Sequence, residues 1–215
     1  MFYHLRITAV FLFIAQGLFA QLPDIPDYRS KKDNFVKVRE KDIRADLSTF
    51  TLAGIDEMIG REPLKKIEPT DYSSQSMRMD GEGISVLIES KPFVKTAHKL
   101  MLYDEKYLIK INNKPFYGSF GATPQRTISN IQVLIGGDTV AIPPAAYQDL
   151  HNPVFYYRDA SGENRSLNGI FYSDDGRKIY IYFLNRLNNN QSYEVTWVIQ
   201  DKVYLRRVLD FELPD

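Results

Sequence analysis

The sequence predicts a mainly β fold, a β-sandwich or barrel-like set of antiparallel sheets with one N-terminal helix and a short helical turn. Three observations predict it. Turn signals recur about every ten residues through the C-terminal third. Apolar residues alternate at a period of two in most segments between those turns, and one stretch near residue 50 carries a helical pattern. Repeated strand–helix–strand alternation is missing, which disfavours a doubly wound nucleotide-binding fold. The alternative is an α+β arrangement, with residues 42–120 forming a small region docked on a β region from residue 127 onward.

The chain opens on MFYHLR, a short basic start, followed by ITAVFLFIAQGLF, which is apolar and uncharged but too short to span a bilayer comfortably. This pattern predicts a secretory signal peptide over residues 1–20, cut between Ala20 and Gln21, with a cut after Gly17 as the alternative. An uncleaved anchor or a buried N-terminal helix is the competing reading. Residues 21–41, with Pro23, Pro26 and mixed charges, predict an extended or partly disordered lead-in, or an edge strand over residues 34–39. Residues 42–215 are expected to form a single β-rich domain, with a possible sub-boundary near residues 120–127.

Charge and cysteine content narrow the function classes. Cleavage after Ala20 removes Arg6 and no acid, leaving 26 basic against 27 acidic residues. A balanced chain lacks the clustered basic surface that tracks phosphates, so nucleic acid is not an expected partner. The chain has no cysteine. That removes a lipid anchor on a cysteine at the cleavage site, a thiol nucleophile, and thiolate zinc or iron–sulfur sites. The mature protein is therefore expected free in a periplasm or outside the cell, with no membrane span and no lipid anchor. Absence of cysteine suits a bacterial envelope protein, although the sequons at Asn164 and Asn190 keep a eukaryotic reading open.

Along the chain, DLSTFTLAGIDEMIGREP predicts a helix capped by Ser48 or Thr49, with Leu47, Phe50, Gly54 and Met58 at helical spacing and Gly60 and Pro63 closing it. ISVLIES predicts a half-buried strand, and KLMLYDEKYLIKIN two strands around Asp104-Glu105. Ile131, Val133 and Ile135 run into Gly136-Gly137-Asp138, a tight-hairpin signal, and Pro144 suits the first turn of a short helix reaching Leu150. The last third predicts VFYYR, GIFYS, KIYIYFLNRL, SYEVTWVIQ and VYLRRVLDFEL as strands.

Little in these segments speaks of catalysis. Only His98 and His151 follow the expected cleavage site, and no Gly-x-Ser-x-Gly or His-Glu-x-x-His pattern occurs. Asp149 and His151 lie two apart, too few ligands for zinc, and no calcium loop is spelled out around Asp80 or Asp159, so no metal and no cofactor is expected. The functional candidates are aromatic. Tyr180 and Tyr182 share a strand face, Tyr156 lies on a neighbouring strand by sequence, and Trp197 alternates with Val195 and Ile199. Such rings stack on sugars or present rigid area to a protein, and they equally suit a sheet face covered by a helix. A two-residue turn at Asp201-Lys202 would place Arg206 opposite Trp197. The expected role is a non-enzymatic binding or accessory protein of a bacterial envelope, partnered by another envelope protein or a glycan. A carbohydrate-binding module using Tyr156, Tyr180, Tyr182 or Trp197 is the alternative, and a hydrolase with carboxylates on loops is a third reading.

Overall fold

A computed structural model of the chain describes residues 33–119, 121–186 and 192–211. The expected signal peptide, residues 21–32 of the lead-in and the turn at residues 188–190 lie outside them. Two short helices, α1 (Asp33–Val36) and α2 (Lys41–Leu47), precede fourteen strands. The first eight are β1 (Lys65–Ile67), β2 (Asp71–Tyr72), β3 (Ser76–Gly81), β4 (Ile84–Pro92), β5 (Leu100–Tyr103), β6 (Tyr107–Ile111), β7 (Arg126–Ile135) and β8 (Asp138–Val140). The rest are β9 (Tyr157–Arg158), β10 (Asn164–Arg165), β11 (Gly169–Tyr172), β12 (Lys178–Asn185), β13 (Tyr193–Gln200) and β14 (Val203–Phe211).

Two five-stranded antiparallel sheets form the body, one in the order β1-β11-β12-β13-β14 and the other β2-β3-β4-β7-β8. Alternation decides what meets between them. Met77, Met79, Val86, Ile88, Ile131 and Val133 from one sheet join Ile179, Ile181, Phe183, Val195, Trp197 and Ile199 from the other in a single buried cluster. The mainly β, sandwich-like expectation therefore holds. β4 pairs with β7 from Ile84↔Ile135 to Pro92↔Arg126, so the chain on both sides of residues 120–127 shares one sheet. Gly136 and Gly137, with φ of 59° and 87°, turn Ile135 onto Asp138 as the hairpin signal requires.

The sheet containing β12 and β13 is covered on its other face as well. Both strands are buried along almost their whole length, on both faces. The cover is the N-terminal segment: Phe35, Val38, Ile43, Leu47 and Ala53 pack on Tyr180, Val198 and Val208, and Phe50 stacks on Phe171 at 4.1 Å. The result is three layers: helical segment, sheet and sheet.

This cover corrects two sequence expectations. The helix ends where it was expected to begin: Ser48 and Thr49 follow α2 and donate their hydroxyls to the carbonyls of Ala45 and Asp46, both at 2.7 Å. Short hydroxyl side chains satisfy a helix's last carbonyls as readily as its first amides, so their presence does not give direction. Beyond them the chain cannot stay helical, because the Glu194 carboxylate takes the amides of Leu52 (2.8 Å) and Ala53 (2.7 Å), leaving only a 3-10 turn at Ile55–Glu57. The second correction concerns residues 33–41. Asp33–Val36 form a helical turn rather than the start of an edge strand, because the Asp210 carboxylate accepts the amides of Asn34 (3.0 Å) and Phe35 (3.1 Å), and Phe35 is buried, whereas Glu40 ahead of α2 is extended.

Candidate functional site

Of the four aromatic candidates, three lie inside. Tyr180 and Tyr182 do share a face, but it is the face beneath the N-terminal cover, and Trp197 is in the core between the sheets. Each buried polar tip is satisfied. Tyr180 Oη donates to Asp46 Oδ2 at 2.5 Å, Tyr182 Oη to Glu194 Oε2 at 2.9 Å and Trp197 Nε1 to the carbonyl of Ala146 at 2.9 Å. Burial first, and then the neighbouring carboxylates, push both phenols well above the ordinary tyrosine range, so they act as fixed donors. The open tyrosine row expected from β12 is therefore not a surface. Tyr156 is half-buried and stacks on Tyr72 with centroids 5.5 Å apart. Beside it, Tyr157, Leu167, Leu184 and Arg186 line a groove of about 320 Å³.

The partner of Trp197 also differs. Asp201 and Lys202 (φ 51° and 60°) make the two-residue turn, but a bulge after it shifts the register so that Trp197 faces Arg207. Arg206 points to the other face and pairs with Glu40. Arg207 clasps Asp149 with two bonds, Nη1 to Oδ1 at 2.6 Å and Nη2 to Oδ2 at 3.0 Å, with both side chains 21% exposed. Arg207→Ala is expected to cost about 2 kcal/mol, more than twice the loss in Arg206→Ala, whose pair is wetter. Equal shifts of the thermal midpoint in the two variants would contradict this.

Asp149 thereby loses the freedom a metal ligand needs. Among the described residues no group of three or more histidines, aspartates or glutamates is arranged to hold an ion. Of the acids beside glycine, Asp80 lies on β3 opposite Ser85, and Asp159 is a turn residue whose Oδ1 accepts the amides of Ser161 (2.9 Å) and Glu163 (3.0 Å). The carboxylates brought face to face, Glu194 opposite Asp210 on β13 and β14, lie under the N-terminal cover and hold its amides.

What the fold does bring together are the two histidines. His98 and His151 line one cavity of about 360 Å³ with Asn112, Lys114, Phe116 and Gln148 among its other walls. Asn112 follows β6 in a left-handed turn conformation (φ 52°). Its Oδ1 accepts the amide of Lys99 at 2.9 Å and its Nδ2 lies 2.9 Å from His98 Nδ1, while Phe93 stacks on the His98 ring at 4.6 Å. His151 is fixed through its backbone: its amide donates to the carbonyl of Tyr117, and the Tyr117 amide to that of Asp149, both at 2.9 Å. This approach requires Gly118 (φ 87°), since a Cβ there would sit 2.0 Å from the His151 carbonyl oxygen.

His151 is only 2% exposed, and its Nδ1 has no hydrogen-bond partner among the described residues. Burial pushes its pKa down to about 4, against the opposing charge of Asp149, so the ring is neutral at physiological pH. The histidines are far apart in sequence, and no local spacing announces the pair. The cavity therefore could not be read from the chain; the hint was limited to His151 following a short proline-initiated turn.

A third feature is the β5–β6 hairpin. Asp104 and Glu105, both at positive φ, turn the chain so that Tyr103 lies directly opposite Tyr107. Met101, Leu102, Tyr103 and Tyr107 are each between 38% and 46% exposed, with Lys106 5.1 Å from the Tyr107 ring centre.

Comparison with protein-family models, with curated proteins and with solved structures finds no match to this chain.

Proposed function

We propose that this chain is an exported binding protein of the bacterial cell envelope, acting by presenting a surface to another envelope protein. The observation that carries the reading is the β5–β6 hairpin. Four large apolar side chains, with the Tyr103–Tyr107 pair directly across the strands, stand half out of water on one small hairpin that also carries Asp104, Glu105, Lys106 and Lys110. Exposed apolar side chains among charges are characteristic of protein contact sites, and tyrosines in such places supply rigid area at low entropic cost. The uncharged apolar run that follows the short basic start supports export. Among the described residues no helix is long and apolar enough to cross a membrane.

The test is capture from the native envelope after cross-linking, using the tagged chain and a Leu102→Asp/Tyr107→Ser variant. One partner is expected at near-stoichiometric yield, with at least a tenfold lower yield for the variant at an unchanged melting temperature. Equal capture by the variant would sink the hairpin as the contact.

A second reading, a carbohydrate-binding module, is favoured by the groove beside Tyr156, where one stacked ring and Arg186 face a concave surface. With Tyr180 buried, Tyr156→Ala is the informative variant: oligosaccharide binding lost in it would move the assignment to the groove. The hydrolase reading has less to stand on, since the paired carboxylates Glu194 and Asp210 are committed to backbone amides under the N-terminal cover.

A further inference from the structure

The chemistry of what meets the β5–β6 hairpin can be read from its register and its charge. Directly opposite residues of an antiparallel pair point to the same face, and successive residues of a strand to opposite faces. The pairs Met101↔Lys110 and Tyr103↔Tyr107 therefore share one face, and Leu100↔Ile111 and Leu102↔Leu108 the other. The second face is in use: Leu108, Ile111 and Phe116 are buried, with Leu100 and Phe93 packed against them. The first is open, with Met101, Tyr103 and Tyr107 between 38% and 45% exposed and the Lys106 ammonium 5.1 Å from the Tyr107 ring centre.

The charge of this segment is one-sided. Residues 91–114 carry Lys91, Lys95, Lys99, Lys106, Lys110 and Lys114 against two acids, Asp104 and Glu105, in a chain whose 27 basic residues equal its 27 acidic ones. Lys110 is half-buried and the other five lysines are exposed. None of the six forms an ion pair among the described residues, whereas Lys65, Lys66, Lys178 and Lys202 elsewhere do.

We propose that the outer face of the β5–β6 hairpin docks an acidic polypeptide segment, whose carboxylates meet Lys99, Lys106 and Lys110 while its apolar side chains cover Met101 and the tyrosine pair. The inference rests on the hairpin being a contact site. Uncompensated ammonium groups beside exposed apolar area steer an acidic partner to it and fix how it lies. Asp104 and Glu105 at the turn favour a polypeptide over a bilayer, because a uniformly anionic lipid surface repels them and a patterned segment need not.

The experiment titrates labelled poly-L-glutamate and poly-L-lysine with the exported chain by fluorescence anisotropy, and sediments the chain with vesicles of equimolar phosphatidylglycerol and phosphatidylethanolamine. Saturable, salt-sensitive binding of polyglutamate alone is expected. Lys99→Glu/Lys106→Glu, two changes at exposed positions, is expected to weaken it about tenfold. Lys65→Glu/Lys202→Glu, the same change in net charge at two ion-paired lysines on the other sheet, is expected to cost less than about twofold. Absence of polyglutamate binding, equal losses in the two variants, or vesicle binding in its place would overturn the assignment. Capture from the envelope separates it from the contact site itself. A partner lost in Leu102→Asp/Tyr107→Ser yet captured undiminished by Lys99→Glu/Lys106→Glu keeps the contact site and overturns its acidic ligand. Polyglutamate binding with no captured partner supports the acidic ligand and removes the envelope partner.

Discussion

Glu194→Ala is expected to lower the unfolding free energy by about 4 kcal/mol, which for a domain of this size corresponds to a fall in melting temperature of about 10 °C. Glu194 is 3% exposed, and its carboxylate accepts bonds from the amides of Leu52 and Ala53 and from the Tyr182 hydroxyl. Removing it strands two backbone donors and one phenol away from water. Each stranded donor costs about 1–3 kcal/mol, and the donors cannot turn elsewhere because the segment carrying them is packed on β12 and β13. Glu194→Gln keeps one acceptor oxygen and is expected to lose roughly half as much. Urea denaturation of the three proteins measures the series. A cost below about 1 kcal/mol for the alanine variant would mean that the N-terminal cover is held by its apolar contacts alone.

That dependence also explains which parts of the fold were legible. Alternation along β4, β7, β12, β13 and β14 is a local property, and so are the paired glycines at 136 and 137, so strands and tight turns could be read from the chain. The cover could not. Phe35 and Val38 sit in a charged stretch that looks unable to bury anything, and what orders them is Asp210, about 175 positions later in the chain. Ser48 and Thr49 suggested a helix after them where the chain instead ends one before them, because hydroxyl residues serve both ends of a helix. The same long-range dependence hid the functional surfaces. Tyr180 and Tyr182 alternate like an exposed aromatic row until the cover is known, and a single bulged residue in β14 exchanges Arg206 for Arg207 opposite Trp197. Tyr156, on a short and poorly patterned segment, was the one of the four aromatic candidates not fully buried, beside a groove that only the meeting of residues 154–157, 167, 184 and 186 creates.

Acid should weaken this protein earlier than its carboxylates alone would dictate, and His151 is the reason. Above pH 6.5 the ring is neutral in both the folded and unfolded chain and contributes no pH dependence. As the pH falls from 6.5 toward 4, the unfolded chain binds a proton at this position that the folded chain refuses, because desolvation of the buried ring outweighs the opposing effects of the Asp149 charge and the Arg126 backbone. The unfolded state therefore gains, and stability present above pH 6.5 is lost through that window, levelling off below about pH 4 after a total of about 3 kcal/mol. Urea midpoints collected across this range for the native chain and for His151→Phe isolate the contribution, since His98 and the carboxylates titrate in both. The native chain is expected to lose about 3 kcal/mol more than the variant between pH 7 and pH 4. Parallel losses would show that His151 takes up its proton in the folded state near its ordinary pKa, with the cavity floor open to water.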